Sequence, residues 1–192
     1  MSSSALSLAR SELILGGQKS GKSRRAEQLA QQWLSGAAQR RAVLVVTGSA
    51  GDAEMAQRIA RHRSDRAQRC PGLQTVEAPL QLAQTVRQHS SPETLVLVDC
   101  LTLWLSNALF PMDGGALHDV ARLSAELQQA LAQAPGPVVL VSNEIGLGVI
   151  PMGPAVRAFV DTLGSLHQQL AGACERVTLM VAGLPLTVKG QP

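Results

Sequence analysis

The chain has 192 residues, 45% of them hydrophobic and only 2% aromatic, with no tyrosine and a formal net charge of +3. This length suits one domain with an aliphatic core, and the shortage of aromatic rings argues against a stacking platform for single-stranded nucleic acid. No stretch approaches the roughly 20 apolar residues that cross a bilayer, so the sequence predicts no membrane span.

The first dozen residues, Met1–Glu12, lack the basic start and long apolar run of a signal peptide. We therefore expect a flexible leader over 1–12 and a single domain over 13–192. The three cysteines, Cys70, Cys100 and Cys174, are far apart and have no metal-ligand or redox-motif spacing. This spacing predicts reduced thiols in a cytoplasmic protein.

Short, continuously apolar runs predict strands, and longer segments with helical apolar spacing predict helices. In chain order, these are strand Leu13–Leu15, helix Ser23–Leu34, strand Ala42–Val46, helix Asp52–Arg66, strand Leu73–Glu77, helix Pro79–Gln88, strand Leu95–Val98, helix Ala116–Ala134, strand Val138–Val141, helix Pro154–Ala173, and strands Val177–Val181 and Leu186–Val188. In the last helix, the expected buried side carries Val156, Phe159, Val160, Leu163, Leu166 and Leu170. This alternation predicts the α/β class, with a mostly parallel sheet and helices on both faces.

The segment after the first strand fits the phosphate-binding pattern G-x-x-x-x-G-K-[ST]. It comprises Gly16, Gly17, Gln18, Lys19, Ser20, Gly21, Lys22 and Ser23. Because this loop follows a strand and opens a helix, a glycine-rich turn with an incidental lysine is a poor alternative. Backbone N–H groups would bind the phosphates, Lys22 would act catalytically on the β- and γ-phosphates, and Ser23 would ligate Mg²⁺. The fold class is therefore P-loop NTPase-like, of the RecA-like kind.

An acidic residue ends the fourth predicted strand. Asp99 follows Leu95–Val98, and it could hold Mg²⁺ directly or through water. The alternative is a strand-end or N-cap aspartate in front of the segment Leu101–Leu109.

A histidine lies within a cluster of arginines. Arg58, His62 and Arg66 are four residues apart and would share one helix face. Neighbouring cations favour the neutral imidazole, which can attack phosphorus. From this segment alone, a solvated basic helix face is the favoured interpretation. The other histidines, His89, His118 and His167, receive no role.

Six segments extend the pattern beyond the phosphate loop. They are LILGGQKSGKSRRAEQLA (13–30), EMAQRIARHRSDR (54–66), TVEAP (75–79), LVLVDCLTLWLSNALF (95–110), VSNEIGLGVIP (141–151) and VAGLPLTVKG (181–190). In order and spacing, the chain resembles the bifunctional adenosylcobinamide kinase / adenosylcobinamide-phosphate guanylyltransferase family of cobalamin biosynthesis. It departs from the usual family pattern at Gln18-Lys19, at 51–53, and before the TVE segment.

The resemblance implies two reactions. ATP or GTP phosphorylates adenosylcobinamide, and GMP then passes from GTP to the new phosphate through a GMP–histidine intermediate, which corresponds to His62. It also implies a homo-oligomer, trimeric or larger. The nucleotide contacts it implies are the phosphate loop together with Val46, Thr47, Gly48, Arg63, Ser64, Asp65, Arg66, Glu77 and Asp99. A kinase-only enzyme and a nucleotide-binding switch remain the alternatives.

The segment Asn143–Gly146 follows the strand Val138–Val141. It would line the corrinoid or phosphate side of the site, or it would be a loop turn with an exposed glutamate. The sequence does not decide between these two interpretations.

Overall fold

The computed structural model describes residues 8–48, 68–111 and 114–191. The predicted helix Asp52–Arg66 lies outside these described residues. Within them, seven strands form one sheet in the order β3-β2-β4-β5-β1-β6-β7. The strands are β1 (Ser11–Gly16), β2 (Arg41–Val46), β3 (Leu73–Glu77), β4 (Thr94–Asp99), β5 (Val138–Val141), β6 (Arg176–Val181) and β7 (Leu184–Lys189).

The first six strands run parallel, and β7 pairs antiparallel with β6. Successive side chains of a strand point to opposite faces of the sheet. Because successive residues of the strands are apolar, both faces of the sheet are apolar. Leu13, for example, packs into one core and its neighbour Ile14 into the other. Continuous apolar runs such as Leu95–Val98 are the sequence signature of this arrangement.

Helices cover both faces, as predicted. The five described helices are α1 (Lys22–Ser35), α2 (Leu82–His89), α3 (Leu101–Leu109), α4 (Val120–Gln133) and α5 (Pro154–Ala173). Residues of α1 pack into the core on one face, and buried residues of α2 to α5 pack into the core on the other. Among the described helices, none is both long enough and apolar enough to cross a bilayer.

The first strand overlaps the end of the segment that we expected to be a leader. Strand β1 begins at Ser11, and Glu12 has an exposed fraction of 0%. Ala9 is buried as well, and Leu8 packs against the core on the α1 face. The carboxylate of Glu12 can be buried because the guanidinium groups of Arg25 and Arg176 offset the cost of removing it from water.

Two helices begin later than predicted, and one predicted core residue is exposed. Helix α4 starts at Val120, because the Asp119 side chain accepts a hydrogen bond from the Arg122 N–H at 3.0 Å and so caps the helix there. Helix α2 starts at Leu82 rather than at Pro79.

Val156 is 53% exposed, since the first turn of α5 borders a shallow hollow beside Phe110 and Phe159 rather than the core.

Candidate functional site

The phosphate loop connects β1 to α1 at the carboxyl edge of the sheet. At Gly16, where φ is +152°, an added Cβ would lie 2.6 Å from the Met180 carbonyl oxygen. At Gly21, where φ is +101°, it would lie 3.3 Å from the Cα of Gly183. The Gly183 N–H also donates to the Ser20 carbonyl at 3.0 Å. The absence of side chains at Gly16 and Gly21 therefore lets the loop pack closely against β6 and the β6–β7 turn.

Lys22 is folded back onto this loop. Its side chain is buried, and Nζ donates a hydrogen bond to the Gly17 carbonyl at 2.7 Å. Burial lowers the pKa of Lys22 from its usual value, and the nearby Asp99 carboxylate opposes that shift. The buried Ser20 hydroxyl has no hydrogen-bond partner in the described structure. A bound phosphate would supply acceptors for both groups.

Ser23 and Asp99 meet directly. The Ser23 hydroxyl donates to Asp99 Oδ2 at 2.9 Å. The N-cap of α3 is Cys100, without a side-chain capping bond, so Asp99 does not have the N-cap role considered from the sequence. Hydroxyl and carboxylate oxygens are the hard ligands that Mg²⁺ prefers.

Within 8–48, 68–111 and 114–191, no group of three or more His, Cys, Asp or Glu side chains could hold a metal ion. The pair at Ser23 and Asp99 still fits Mg²⁺. This ion usually takes one or two protein carboxylates and completes its shell with water and substrate phosphates.

The ends of β2 and β3 lie further along the same edge. Val46 is in register with Asp99 on one side and with Glu77 on the other. The Thr47 hydroxyl is buried, donating to the Cys100 carbonyl at 2.6 Å and accepting from the Cys100 N–H at 3.0 Å. Thr47 therefore holds the end of β2 against the end of β4. The exposed Glu77 lies at the end of β3, which is an edge strand of the sheet. Gly48 is the last described residue before the gap.

Five of the predicted site residues cannot be compared with this geometry. His62, Arg63, Ser64, Asp65 and Arg66 lie outside the described residues. Their roles stay predictions that depend on the family resemblance.

A polar cluster at the end of β5 was missed by the sequence analysis. The imidazole of His167 is buried, and its Nε2 lies 2.7 Å from the Ser142 hydroxyl. Its Nδ1 lies 3.6 Å from Glu144 Oε2. Burial lowers the pKa of His167, and the Glu144 carboxylate opposes that shift. The burial effect is the larger one, and it favours the neutral form of the ring.

The spacing of α5 contained a signal for this histidine. His167 lies four residues after Leu163 and three before Leu170, both fully buried. That spacing places His167 on the apolar stripe of the helix. Because the next two residues, Gln168 and Gln169, are polar, the sequence analysis did not include His167 in the buried side of the helix. The contacts of His167 with Ser142 and Glu144 join segments that are distant in sequence.

Glu144 connects this cluster to the phosphate loop. Its backbone N–H donates to the Gly16 carbonyl at 3.0 Å. Its side chain is 23% exposed, and Oε1 accepts from the Gly146 N–H at 2.7 Å. Glu144 is therefore held at the phosphate-loop edge and is not an unconstrained glutamate on a loop turn.

Comparison with known proteins identifies the family of the chain. A family described as "Cobinamide kinase / cobinamide phosphate guanyltransferase" matches residues 12–188. The bifunctional adenosylcobalamin biosynthesis protein CobP of Pseudomonas aeruginosa is 48% identical over 184 residues, covering 94% of this chain and 98% of the relative. The bifunctional adenosylcobalamin biosynthesis protein CobU of Escherichia coli is 34% identical over 187 residues, covering 92% and 98%.

A solved structure shares the fold. The flagellar accessory protein FlaH from Methanocaldococcus jannaschii superposes with a TM-score of 0.53 at 13% identity, covering 96% of this chain and 80% of FlaH. At this identity the likeness concerns the fold alone, and it confirms the predicted P-loop NTPase-like, RecA-like class.

Proposed function

The chain belongs to the cobinamide kinase / cobinamide phosphate guanyltransferase family, and we propose that it carries out both reactions at the carboxyl edge of its sheet. In the first, ATP or GTP phosphorylates the hydroxyl of the aminopropanol arm of adenosylcobinamide. In the second, GMP passes from GTP to that phosphate, giving adenosylcobinamide-GDP and pyrophosphate. The observation that carries the proposal is the phosphate loop, with buried Lys22 beside the Ser23–Asp99 pair.

In the kinase step, the acceptor hydroxyl oxygen bonds to the γ-phosphorus while the bond to the bridging oxygen breaks and the nucleoside diphosphate leaves. Backbone N–H groups of the loop 16–23 and the start of α1 bind the phosphates. Lys22 leaves the Gly17 carbonyl and stabilises charge on the β- and γ-phosphate oxygens. Ser23 and Asp99 would hold Mg²⁺, which neutralises triphosphate charge when bound.

In the guanylyl transfer, a ring nitrogen of His62 bonds to the α-phosphorus of GTP and pyrophosphate leaves. A phosphate oxygen of adenosylcobinamide phosphate then bonds to that phosphorus, which frees the histidine. Arg63, Ser64, Asp65 and Arg66 would contact the nucleotide, as would the strand ends at Val46–Gly48 and Glu77. This part of the proposal is supported by the family membership.

Incubation with α-labelled GTP tests the proposal. We expect acid-labile, alkali-stable label on the protein, absent from the variant His62→Ala and transferred to added cobinamide phosphate. The variant His118→Ala is the matched control, because His118 is exposed and has no proposed role. Cobinamide phosphorylation without covalent label would indicate a kinase-only enzyme. Slow triphosphate hydrolysis without use of cobinamide would indicate a nucleotide-binding switch.

We also propose that the protein acts in the cytoplasm as a single-domain homo-oligomer, trimeric or larger. The three cysteines are free and buried, which suits a reducing compartment. The family match spans 12–188, which supports one domain. The exposed side chains of Leu184, Leu186 and Val188 share one face of the outermost strand β7, as expected of an interface.

Substitutions that introduce negative charge on β7 should therefore lower the mass of the oligomer. We expect the double variant Leu184→Glu/Leu186→Glu to elute as a smaller species than the wild type, measured by light scattering after size exclusion. The matched variant Arg122→Glu/Gln129→Glu, on the exposed side of α4, should keep the wild-type mass. If the β7 variant also keeps it, β7 is not in the interface.

A further inference from the structure

The polar cluster at the end of β5 connects Asn143, Thr102, Ser142 and His167 by hydrogen bonds and places the imidazole beside Glu144. An ionised carboxylate only accepts hydrogen bonds, so the Glu144 carboxylate favours the tautomer that carries the ring proton on His167 Nδ1. The neutral ring then accepts at Nε2 from the Ser142 hydroxyl. The hydroxyl oxygens of Ser142 and Thr102 lie 3.2 Å apart, within hydrogen-bond distance, and Thr102 accepts from the Asn143 N–H at 2.9 Å.

The polar cluster ends beside the phosphate loop. Strand β5 is the neighbour of β1, and the Glu144 N–H bonds to the Gly16 carbonyl. The carboxylate is partly exposed, whereas the imidazole behind it is buried. Glu144 therefore lies at the phosphate-loop edge through its backbone, and its partly exposed carboxylate has the buried His167 behind it.

The kinase step needs a proton acceptor for the substrate hydroxyl. Asp99 is at the same edge, but its Oδ2 accepts from Ser23 and its place in the proposed site is with the metal. Glu144 has acceptor capacity left on both oxygens after its contact with the Gly146 N–H. A carboxylate can serve as a general base when it lies within reach of the hydroxyl proton.

We propose, on the basis of the proposed function, that Glu144 is the catalytic base of the phosphoryl transfer and that His167 is the residue that positions it. As the hydroxyl oxygen bonds to the γ-phosphorus, its proton passes to a Glu144 oxygen. The bond between the γ-phosphorus and the bridging oxygen breaks, and its electron pair leaves with the nucleoside diphosphate. The protonated carboxyl then returns the proton to solvent.

The distance of 3.6 Å between His167 Nδ1 and Glu144 Oε2 is long for a hydrogen bond. The buried Nδ1 has no hydrogen-bond partner within normal distance in the described structure. Catalytic hydrogen bonds of a substrate-free site often tighten only when substrate binds. A neutral donor fits this role, since it orients the carboxylate without weakening it as a base, as a neighbouring cation would.

The two reactions differ in their need for a base, and this difference provides the test. The hydroxyl of adenosylcobinamide must lose a proton, whereas the acceptor in the second reaction is already an anionic phosphate. Glu144→Gln keeps the size of the side chain and an acceptor for the Gly146 N–H. We expect its kcat for cobinamide phosphorylation to fall by about 100-fold or more, with the nucleotide KM and the GMP transfer to supplied cobinamide phosphate unchanged.

Two substitutions of His167 separate positioning from folding. In His167→Asn the amide can reach the place of Nδ1 and donate to Glu144, whereas in His167→Gln it reaches the place of Nε2 and contacts Ser142. We expect His167→Gln to lower the kinase kcat by about 10-fold and His167→Asn to retain most of the rate. Neither variant should change the nucleotide KM or the second reaction. A purely structural histidine would not give this order.

The outcomes can be distinguished. If Glu144→Gln retains the wild-type kinase rate, or lowers both reactions equally, Glu144 is not the base. If His167→Asn loses as much kinase rate as His167→Gln, the positioning role of His167 is wrong. If the wild type itself phosphorylates no cobinamide in the presence of ATP or GTP, the proposed function fails and this inference fails with it.

Discussion

Replacing Lys22 with alanine should lower both cobinamide phosphorylation and the covalent labelling from GTP by about 100- to 1,000-fold. One charged group serves both reactions, because the loop 16–23 binds the same triphosphate in each. The ammonium is already inside the loop, bonded to the Gly17 carbonyl at 2.7 Å, so little rearrangement is needed for it to reach a phosphate oxygen. Initial rates of both reactions at saturating nucleotide measure the effect.

The same substitution should leave the fold intact. Burial lowers the pKa of Lys22 from 10.5, so the folded chain binds this proton less tightly than the unfolded chain does. At pH values below the folded-state pKa, the charged amine therefore disfavours folding, and alanine removes that penalty. We expect the unfolding temperature to stay within about 3 °C of the wild type, while the stabilisation that added nucleotide gives the wild type is lost.

Arg24→Ala is the matched control for Lys22. It removes one positive charge two residues further along α1, but its side chain is exposed and it has no proposed role. We expect both rates to be retained. Equal losses in the two variants would show that net charge near the loop matters and that the position of the Lys22 ammonium does not.

The sheet could be predicted because its signal is local. Apolar runs such as Val138–Val141 have the same limits in the sequence and in the structure. The phosphate loop was predicted for a similar reason, since its glycines, lysine and serine are contiguous. Neither signal depends on which strands become neighbours in the sheet.

The cluster around Glu144 could not be predicted, because it depends on strand order and on contacts between distant segments. His167 and Ser142 are 25 residues apart, and Thr102 and Ser142 are 40 apart. The sequence alone left two interpretations of Asn143–Gly146 equally plausible, namely a segment that lines the corrinoid or phosphate side of the site and a loop turn with an exposed glutamate. The pairing of β5 with β1 favours the first, since it brings Glu144 next to Gly16.

The burial of Glu12, near the start of the chain, also depends on contacts between segments that are distant in sequence. Next to a short apolar run, a glutamate looked like the end of a leader, yet it is fully buried between two arginines. Glu12 Oε1 lies 3.9 Å from Arg25 Nη2, and Oε2 lies 3.5 Å from Arg176 Nη1. The Thr178 hydroxyl donates to Oε1 at 2.7 Å. The partners come from α1 and β6, which the sequence alone does not place beside β1.

Glu12→Gln should destabilise the fold by about 3–5 kcal/mol. Glutamine keeps the side-chain size and an acceptor for Thr178, but it leaves two buried guanidinium groups facing an uncharged amide. At this chain length, such a loss corresponds to roughly 10 °C in the unfolding temperature. The midpoint of urea unfolding, with an unchanged m-value, measures the change in the free energy of unfolding.

Glu126→Gln is the control, because the same chemical change is made at an exposed pair. Glu126 contacts Arg122 at 3.6 Å on the surface of α4, where we expect an effect below about 0.5 kcal/mol. If Glu12→Gln cost no more than this control, the buried charges would not stabilise the contact of α1 with β1. Below its unfolding temperature, Glu12→Gln should still bind nucleotide with wild-type affinity, since no atom of the phosphate loop has changed. Loss of affinity in the folded variant would instead mean that the ion pair with Arg25 holds the start of α1, and with it Lys22, in the geometry that binds phosphate.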